Sequence, residues 1–164
     1  MTISQRMQDA INEQIKHELY SAYLYLSMSA YCESENLPGC AHWLRMQWKE
    51  ETEHAAKFMG YLNDRGGRVA LKSIEEPLAS FGTMAELFRG VLEHEQKVTA
   101  RINDLYELAG REKDHATEAM LQWFLKEQVE EEKSAMQIVE TLKLVADNRS
   151  ALLFFDRQLA ARTE

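Results

Sequence analysis

Four stretches of this chain carry apolar residues at alternating steps of three and four, and each ladder is broken near its middle by a carboxylate. The second reads Leu44, Trp48, Glu51, Ala55, Phe58, Leu62. That spacing is the core-facing seam of a helix, so Glu51 stands where a leucine is expected. His54 follows three residues later and shares its face. The first ladder reads Ile11, Ile15, Glu18, Ala22, Tyr25, Ser29. The third reads Met84, Phe88, Val91, Glu95, Val98, Ile102, Leu105, Ala109. The fourth reads Leu121, Phe124, Gln128, Glu131, Ala135, Ile138, Leu142, Val145. No Lys or Arg stands on these ladders.

One glutamate on a helix is ordinarily a solvated group, because charged residues are rarely buried. Four at one level of four seams are another matter. A single unpaired buried carboxylate costs several kcal/mol. Four together would repel and raise one another's pKa. Two divalent cations carry the charge that balances Glu18, Glu51, Glu95 and Glu131, and His54 adds a neutral nitrogen ligand. Carboxylates with one imidazole suit iron or manganese better than zinc, which favours thiolates.

The remaining sequence fits an all-α protein. Two prolines and seven glycines in 164 residues leave long uninterrupted helical stretches. A chain of this length is expected to form a single domain, residues 1–164, with a substantial core. The formal net charge of −8 argues against nucleic acid and for cations as partners. Cys32 and Cys40 read as free thiols. The N-terminus lacks the apolar run of a signal peptide, and no stretch is long and apolar enough to span a membrane, so a cytoplasmic protein is expected.

Helices are expected over about 4–33, 39–65, 83–109 and 113–146, with Gly110 as the stop of the third. A short fifth helix is expected over 151–161. Thr83-Met84-Ala85-Glu86 reads as a capping box. Between Gly66 and Gly82 the helical ladder stops, and Pro77 forbids a long helix. Such a crossover, fully extended, reaches roughly 56–61 Å, whereas a helix of ~27 residues spans roughly 40 Å. Helix pair, long crossover, helix pair is a four-helix bundle with one crossover. The halves echo each other: Glu18 and Glu51 have the same separation as Glu95 and Gln128. The last segment, with Leu152, Leu153, Phe154, Phe155 and Leu159, is too apolar for a free tail and should dock or join an oligomer contact. Met46, Met59, Trp43 and Trp123 read as core. His17, His42 and His94 read as surface or packing residues.

The sequence resembles the bacterial non-haem ferritins along nearly its whole length. The resemblance is carried by Glu18-Leu19-Tyr20-Ser21 with Tyr25, Glu50-Glu51-Thr52-Glu53-His54, His94-Glu95-Gln96 and Gln122-Trp123-Phe124. It continues through Glu127-Gln128-Val129-Glu130-Glu131-Glu132-Lys133 and Leu153-Phe154-Phe155-Asp156. It implies a ferritin-like four-helix bundle with a short C-terminal fifth helix. Di-iron bundles of this kind take a Glu from each of two helices and Glu-x-x-His from the other two. The first half here conforms, with Glu18 and Glu51-x-x-His54. The second departs, with Glu95 and then Gln128-x-x-Glu131, so one metal position should be held more loosely. The haem-binding relatives usually carry a second Glu-x-x-His and a haem-ligating Met after the second helix's glutamate. Gln128-x-x-Glu131 and Thr52 stand there instead, and no haem is expected.

The resemblance further implies a ferroxidase centre. Glu18, Glu51 and His54 would hold one iron. Glu51 as bridge, Glu95 and Glu131 would hold the second, with Gln128 beside the oxygen-binding space. A third iron site would map to Glu50, Glu127, Glu130 and Glu131; apart from the resemblance, the first three of these read as a solvated face. Tyr25, one step of seven from Glu18, is either an electron donor or a core tyrosine. The implied activity is oxidation of Fe(II) by oxygen or peroxide and storage of the ferric mineral in a shell of twenty-four chains. Asp114, His115 and Glu118 would line an inlet channel, though acids at a helix start also serve the helix dipole. Two other readings compete: a di-iron enzyme that activates oxygen or peroxide without storing iron, and a structural bundle without metal.

Overall fold

Apolar spacing with period 3.6 produces five helices, described here for residues 2–163 in a computed structural model. They are α1 (Gln5–Ser34), α2 (Pro38–Asp64), α3 (Met84–Glu112), α4 (His115–Val145) and α5 (Arg149–Leu159). Among the described residues there is no strand. No helix among the described residues is long and apolar enough to cross a membrane. Ser4 caps α1 by accepting from the Met7 amide. Thr83 and Glu86 form the expected capping box of α3. Asp114 caps α4 and Asn148 caps α5.

α1 and α2 form one hairpin: the Ile3 amide at the start of α1 donates to the Arg65 carbonyl at the end of α2. α3 and α4 form the second. The crossover between them runs the length of α1. Arg68 N donates to Gln8 Oε1 at 2.8 Å, Ala70 N to Asn12 Oδ1 at 2.8 Å, and Lys16 Nζ to Glu75 Oε1 at 2.8 Å. Further on, Ser27 Oγ donates to the Leu78 carbonyl and Tyr31 Oη to that of Gly82. Apart from the Lys16–Glu75 pair, these bonds satisfy backbone groups that an irregular segment would otherwise leave to water.

Two details differ from the sequence expectation. Gly110 does not stop α3. The helix runs on to Glu112 and ends at Lys113, in the left-handed region with φ 57°. A glycine inside a helix costs only about 1 kcal/mol, and the added turn brings Glu112 to a hydrogen bond with Ser4. Trp123 is not core: it lies 38% exposed beside the Leu121–Phe124–Gln128 seam rather than on it. Trp43 and Met46 are buried as expected, and Met59 is half-buried.

The core comes in two parts. One gathers Tyr25, Met28, Leu44, Phe88, Val91, Ala135 and Ile138. The other gathers Ile11, Ile15, Phe58, Leu62, Ile102, Leu121 and Phe124, with Phe58 and Phe124 stacked at 4.1 Å. In sequence, the ladder carboxylates fall between the two parts on each of α1, α2, α3 and α4.

The fifth helix docks through a cap supplied in trans. α2 begins at Pro38 with no side-chain cap of its own. Asp156 supplies it, accepting from Gly39 N at 3.1 Å and Cys40 N at 2.7 Å. Gly39 is required here, since a Cβ would overlap the Asp156 carbonyl. Replacing Asp156 by Ala strands two buried N–H groups and should cost about 2 kcal/mol. The loss is read as a lowered denaturant midpoint together with faster proteolysis in the α4–α5 link, residues 146–148.

Candidate metal centre

Glu18 on α1, Glu51 and His54 on α2, Glu95 on α3, and Gln128 and Glu131 on α4 are all buried. Glu18, Glu51 and His54 each present a ligand atom such that all three lie within 4.8 Å of one another. His54 Nδ1 is 3.4 Å from Glu51 Oε2 and 3.9 Å from Glu18 Oε2. Among the described residues this is the one group of three His, Cys, Asp or Glu side chains so gathered.

Three oxygens of this cluster have no hydrogen-bond partner among the described residues: Glu18 Oε2 and both oxygens of Glu51. A buried acceptor without a donor carries an uncompensated desolvation cost. A cation held between these atoms removes that cost.

The other half of the layer is hydrogen-bonded. Tyr25 donates to Glu95 Oε1, and Gln128 Nε2 donates to Glu95 Oε2 at 3.1 Å. Gln47 Nε2 donates to Glu131 Oε2 at 2.9 Å. Gln14 Nε2 donates to Glu18 Oε1 at 2.7 Å, leaving only the second oxygen of Glu18 free.

Electrostatics follow from this burial. The Glu51 carboxyl is pushed well above the usual range, first by desolvation, then by the charges of Glu18 and Glu95. Burial raises Glu95 to about 7 against the hydrogen bonds from Tyr25 and Gln128. Burial raises Glu131 to about 8, with Glu95 and Glu50 adding to it. The Tyr25 phenol is likewise raised by burial and by Glu95. The metal-free layer therefore holds protons that a cation would displace.

Of the remaining sequence candidates, Glu50 is half-buried and pairs with Arg162, whose Nη2 lies 2.8 Å from its Oε2. Glu127 is half-buried and Glu130 exposed, and neither joins a cluster of three ligand atoms. Asp114 is committed to Arg65, 2.9 Å away, and to capping α4. His115 is exposed and lies 2.7 Å from Glu118. His94 is buried, shares a hydrogen bond with Ser21 and packs edge-on against Tyr25. Burial lowers its pKa to about 4.

Sequence reasoning missed Gln14, Gln47 and Arg162. The two glutamines carried a signal: each stands one helical turn ahead of a seam glutamate, Gln14 ahead of Glu18 and Gln47 ahead of Glu51. Arg162 carried none.

Residues 8–145 match the model of the ferritin-like domain. The chain is 38% identical to the bacterial non-heme ferritin of Staphylococcus aureus over 161 residues, 98% of this chain and 97% of that one. This chain belongs to the ferritin family. The ferritin of Staphylococcus haemolyticus is also 38% identical, over the same shares of both chains. Among solved structures, the open-pore ferritin of the archaeon Archaeoglobus fulgidus superimposes with a TM-score of 0.98. It is 48% identical, with 99% of this chain and 100% of that one covered. A humanized archaeal ferritin superimposes at 0.97 with 48% identity, covering 99% of this chain and 98% of that one. The ferritin four-helix bundle with its short fifth helix is thereby shown, and with it the family's general role in iron storage.

Proposed function

We propose that this ferritin, working as a single domain, oxidises Fe(II) at a two-metal site within each chain and stores the product as a ferric mineral inside a hollow shell. The observation that carries this reading is the set of three unpartnered, buried oxygens on Glu18 and Glu51 beside His54. Glu18, Glu51 and His54 take the first Fe(II). Glu51, Glu95 and Glu131 take the second, and Gln128 faces the oxidant. The two ions give one electron each to oxygen, forming peroxide with two protons, or to peroxide, forming water. Protons held by Glu95 and Glu131 in the metal-free layer leave as iron enters. Fe(III) then hydrolyses, releases further protons and passes to the mineral. Tyr25, already donating to Glu95, stands where it can supply a further electron to the reduction of the oxidant. Glu50, Glu127, Glu130 and Glu131 are proposed as a third position on the way out. Thr52 and Gln128-x-x-Glu131 stand where the haem-binding relatives usually carry other residues, and no haem is proposed.

A shell of twenty-four chains is proposed with the family as support. Here, α5 buries Phe155 and Asp156 but leaves Leu153 and Phe154 53% and 65% exposed. One face of α5 therefore docks and the other is available to a neighbouring subunit. The archaeal relative is described as an open-pore ferritin, and an open arrangement is a candidate for this shell as well. Two buried free thiols, Cys32 and Cys40, fit a reducing compartment and a cytoplasmic location.

Aerobic loading with excess Fe(II), followed by size-exclusion chromatography and iron assay, tests the proposal. Iron that co-elutes with a very large particle, far beyond two or three ions per chain, is the expected result. A small species that retains about two ions per chain, the di-iron count, would refute storage and leave an oxygen-activating enzyme.

A further inference from the structure

Downstream of α5 the chain turns back onto α2. Ala161 N donates to the Gln158 carbonyl and Arg162 N to that of Leu159. Arg162 is then held by four residues of α2. His42 Nε2 donates to its carbonyl at 2.8 Å. Its guanidinium lies over the Trp43 ring, 4.7 Å from the centroid. Nη1 donates to Gln47 Oε1 at 2.6 Å, and Nη2 to Glu50 Oε2 at 2.8 Å.

We infer that Arg162 is a positioning residue that orients Glu131 through Gln47 and closes Glu50 to metal. The inference rests on the proposed iron chemistry and deepens it at the second and third positions.

The first half follows from donor and acceptor identity. A guanidinium only donates. The Gln47 atom facing Arg162 must therefore be its carbonyl oxygen, and the amide NH2 is turned to the other side. There it donates to Glu131 Oε2 at 2.9 Å. Remove Arg162 and the amide is free to flip, which would set an oxygen against a carboxylate. Partners one step behind a ligand typically change metal affinity by 10–100-fold when lost.

The second half follows from charge. Glu50 is one of the four carboxylates proposed for the third iron, and it is neutralised by Arg162. A cation and a guanidinium cannot share that oxygen without repulsion, so iron enters the third position only after Arg162 has swung away. The fork of Arg162 suits both roles, since one arm holds an amide and the other a carboxylate. A lysine ammonium cannot do so with the same geometry.

The test is anaerobic titration of the metal-free, full-length assembly with Zn(II), a redox-inert stand-in, followed by calorimetry. Elution volume confirms that each variant still assembles. The parent protein is expected to bind about two ions per chain, the di-iron count. Arg162→Gln should gain a third ion and weaken the second step about tenfold, and adding Glu50→Gln should abolish the third ion again. Arg162→Lys keeps the charge at Glu50 but not the fork, so it should exclude the third ion while still weakening the second step. Unchanged stoichiometry and affinities in Arg162→Gln overturn the inference, as does a parent protein that takes a third ion as tightly as the first two. A variant that melts earlier but binds like the parent overturns it too, by showing a purely structural contact. Failure of the parent to bind any ion that depends on Glu51 is a different result: it removes the two-metal reading itself.

Discussion

Glu51→Leu raises the stability of the metal-free protein and abolishes rapid Fe(II) oxidation. Neither Glu51 oxygen has a hydrogen-bond partner among the described residues, and the side chain is buried on the α2 seam. Leucine has similar volume and restores that seam. Replacing a buried carboxyl that has no hydrogen-bond partner with a well-packed apolar group should stabilise by about 1–4 kcal/mol, the range seen for poorly compensated buried polar and ionic groups, read as a higher denaturant midpoint without metal. The same change removes the bridge proposed between the two irons, and with it more than the 10–100-fold effect of losing a mere supporting partner, read in stopped-flow oxidation. Glu51 is a cleaner choice than Glu18 or Glu95. Leucine at Glu18 would strand Gln14, and leucine at Glu95 would strand Tyr25 and Gln128. A purely structural bundle predicts stabilisation with no functional loss; a destabilised Glu51→Leu would mean that the site is held by interactions other than a metal.

The metal-free protein loses stability as pH rises from 6.5 to 8, and a divalent metal reverses that trend. Glu95 and Glu131 keep their protons in the fold up to about 7 and about 8, against 4.5 as the ordinary value. Between these limits the folded state binds more protons than the unfolded one, so stability falls with rising pH. His94 works in the opposite sense at lower pH. Its pKa falls from 6.5 to about 4 on folding, so its contribution is present above 6.5 and lost as pH drops toward 4. Above 6.5 the carboxyls act alone, and the expected loss by pH 8 is on the order of 2 kcal/mol. Metal requires the ionised carboxylates, binds more tightly as pH rises and expels their protons. At about 100 times its dissociation constant it adds about 2.7 kcal/mol. Denaturant midpoints at pH 6.5 and 8, with and without Zn(II), carry the comparison. A flat metal-free profile, or a metal effect that ignores pH, would show that the layer holds no exchangeable protons.

The fold and half of the site were legible because burial writes itself into periodicity. Glu18, Glu51, Glu95 and Glu131 each replace an apolar residue on a regular ladder, and the ladder by itself reports which face turns inward. The crossover was legible through its missing ladder and Pro77, although its bonds to Gln8, Asn12 and Tyr31 were not. Helix ends were less sharply marked: Gly110 carries the signal of a stop, yet one more turn is stabilised by Glu112 meeting Ser4. Trp123 failed because an aromatic next to a seam looks like one on it. Asp156 and Arg162 lay beyond reach for a different reason. Their partners Gly39, Gln47 and Glu50 are more than a hundred residues away in sequence, and no local pattern encodes a cap or a fork supplied by another helix.

The central claim is that Glu51 bridges two metal ions between the four helices. It is tested most directly by anomalous diffraction at the iron edge from crystals soaked anaerobically in Fe(II). The account predicts two peaks in each chain, one beside Glu18, Glu51 and His54 and the other beside Glu51, Glu95 and Glu131, both lost in Glu51→Leu. Iron found only on the protein surface, with Glu18, Glu51 and His54 unligated, would contradict it.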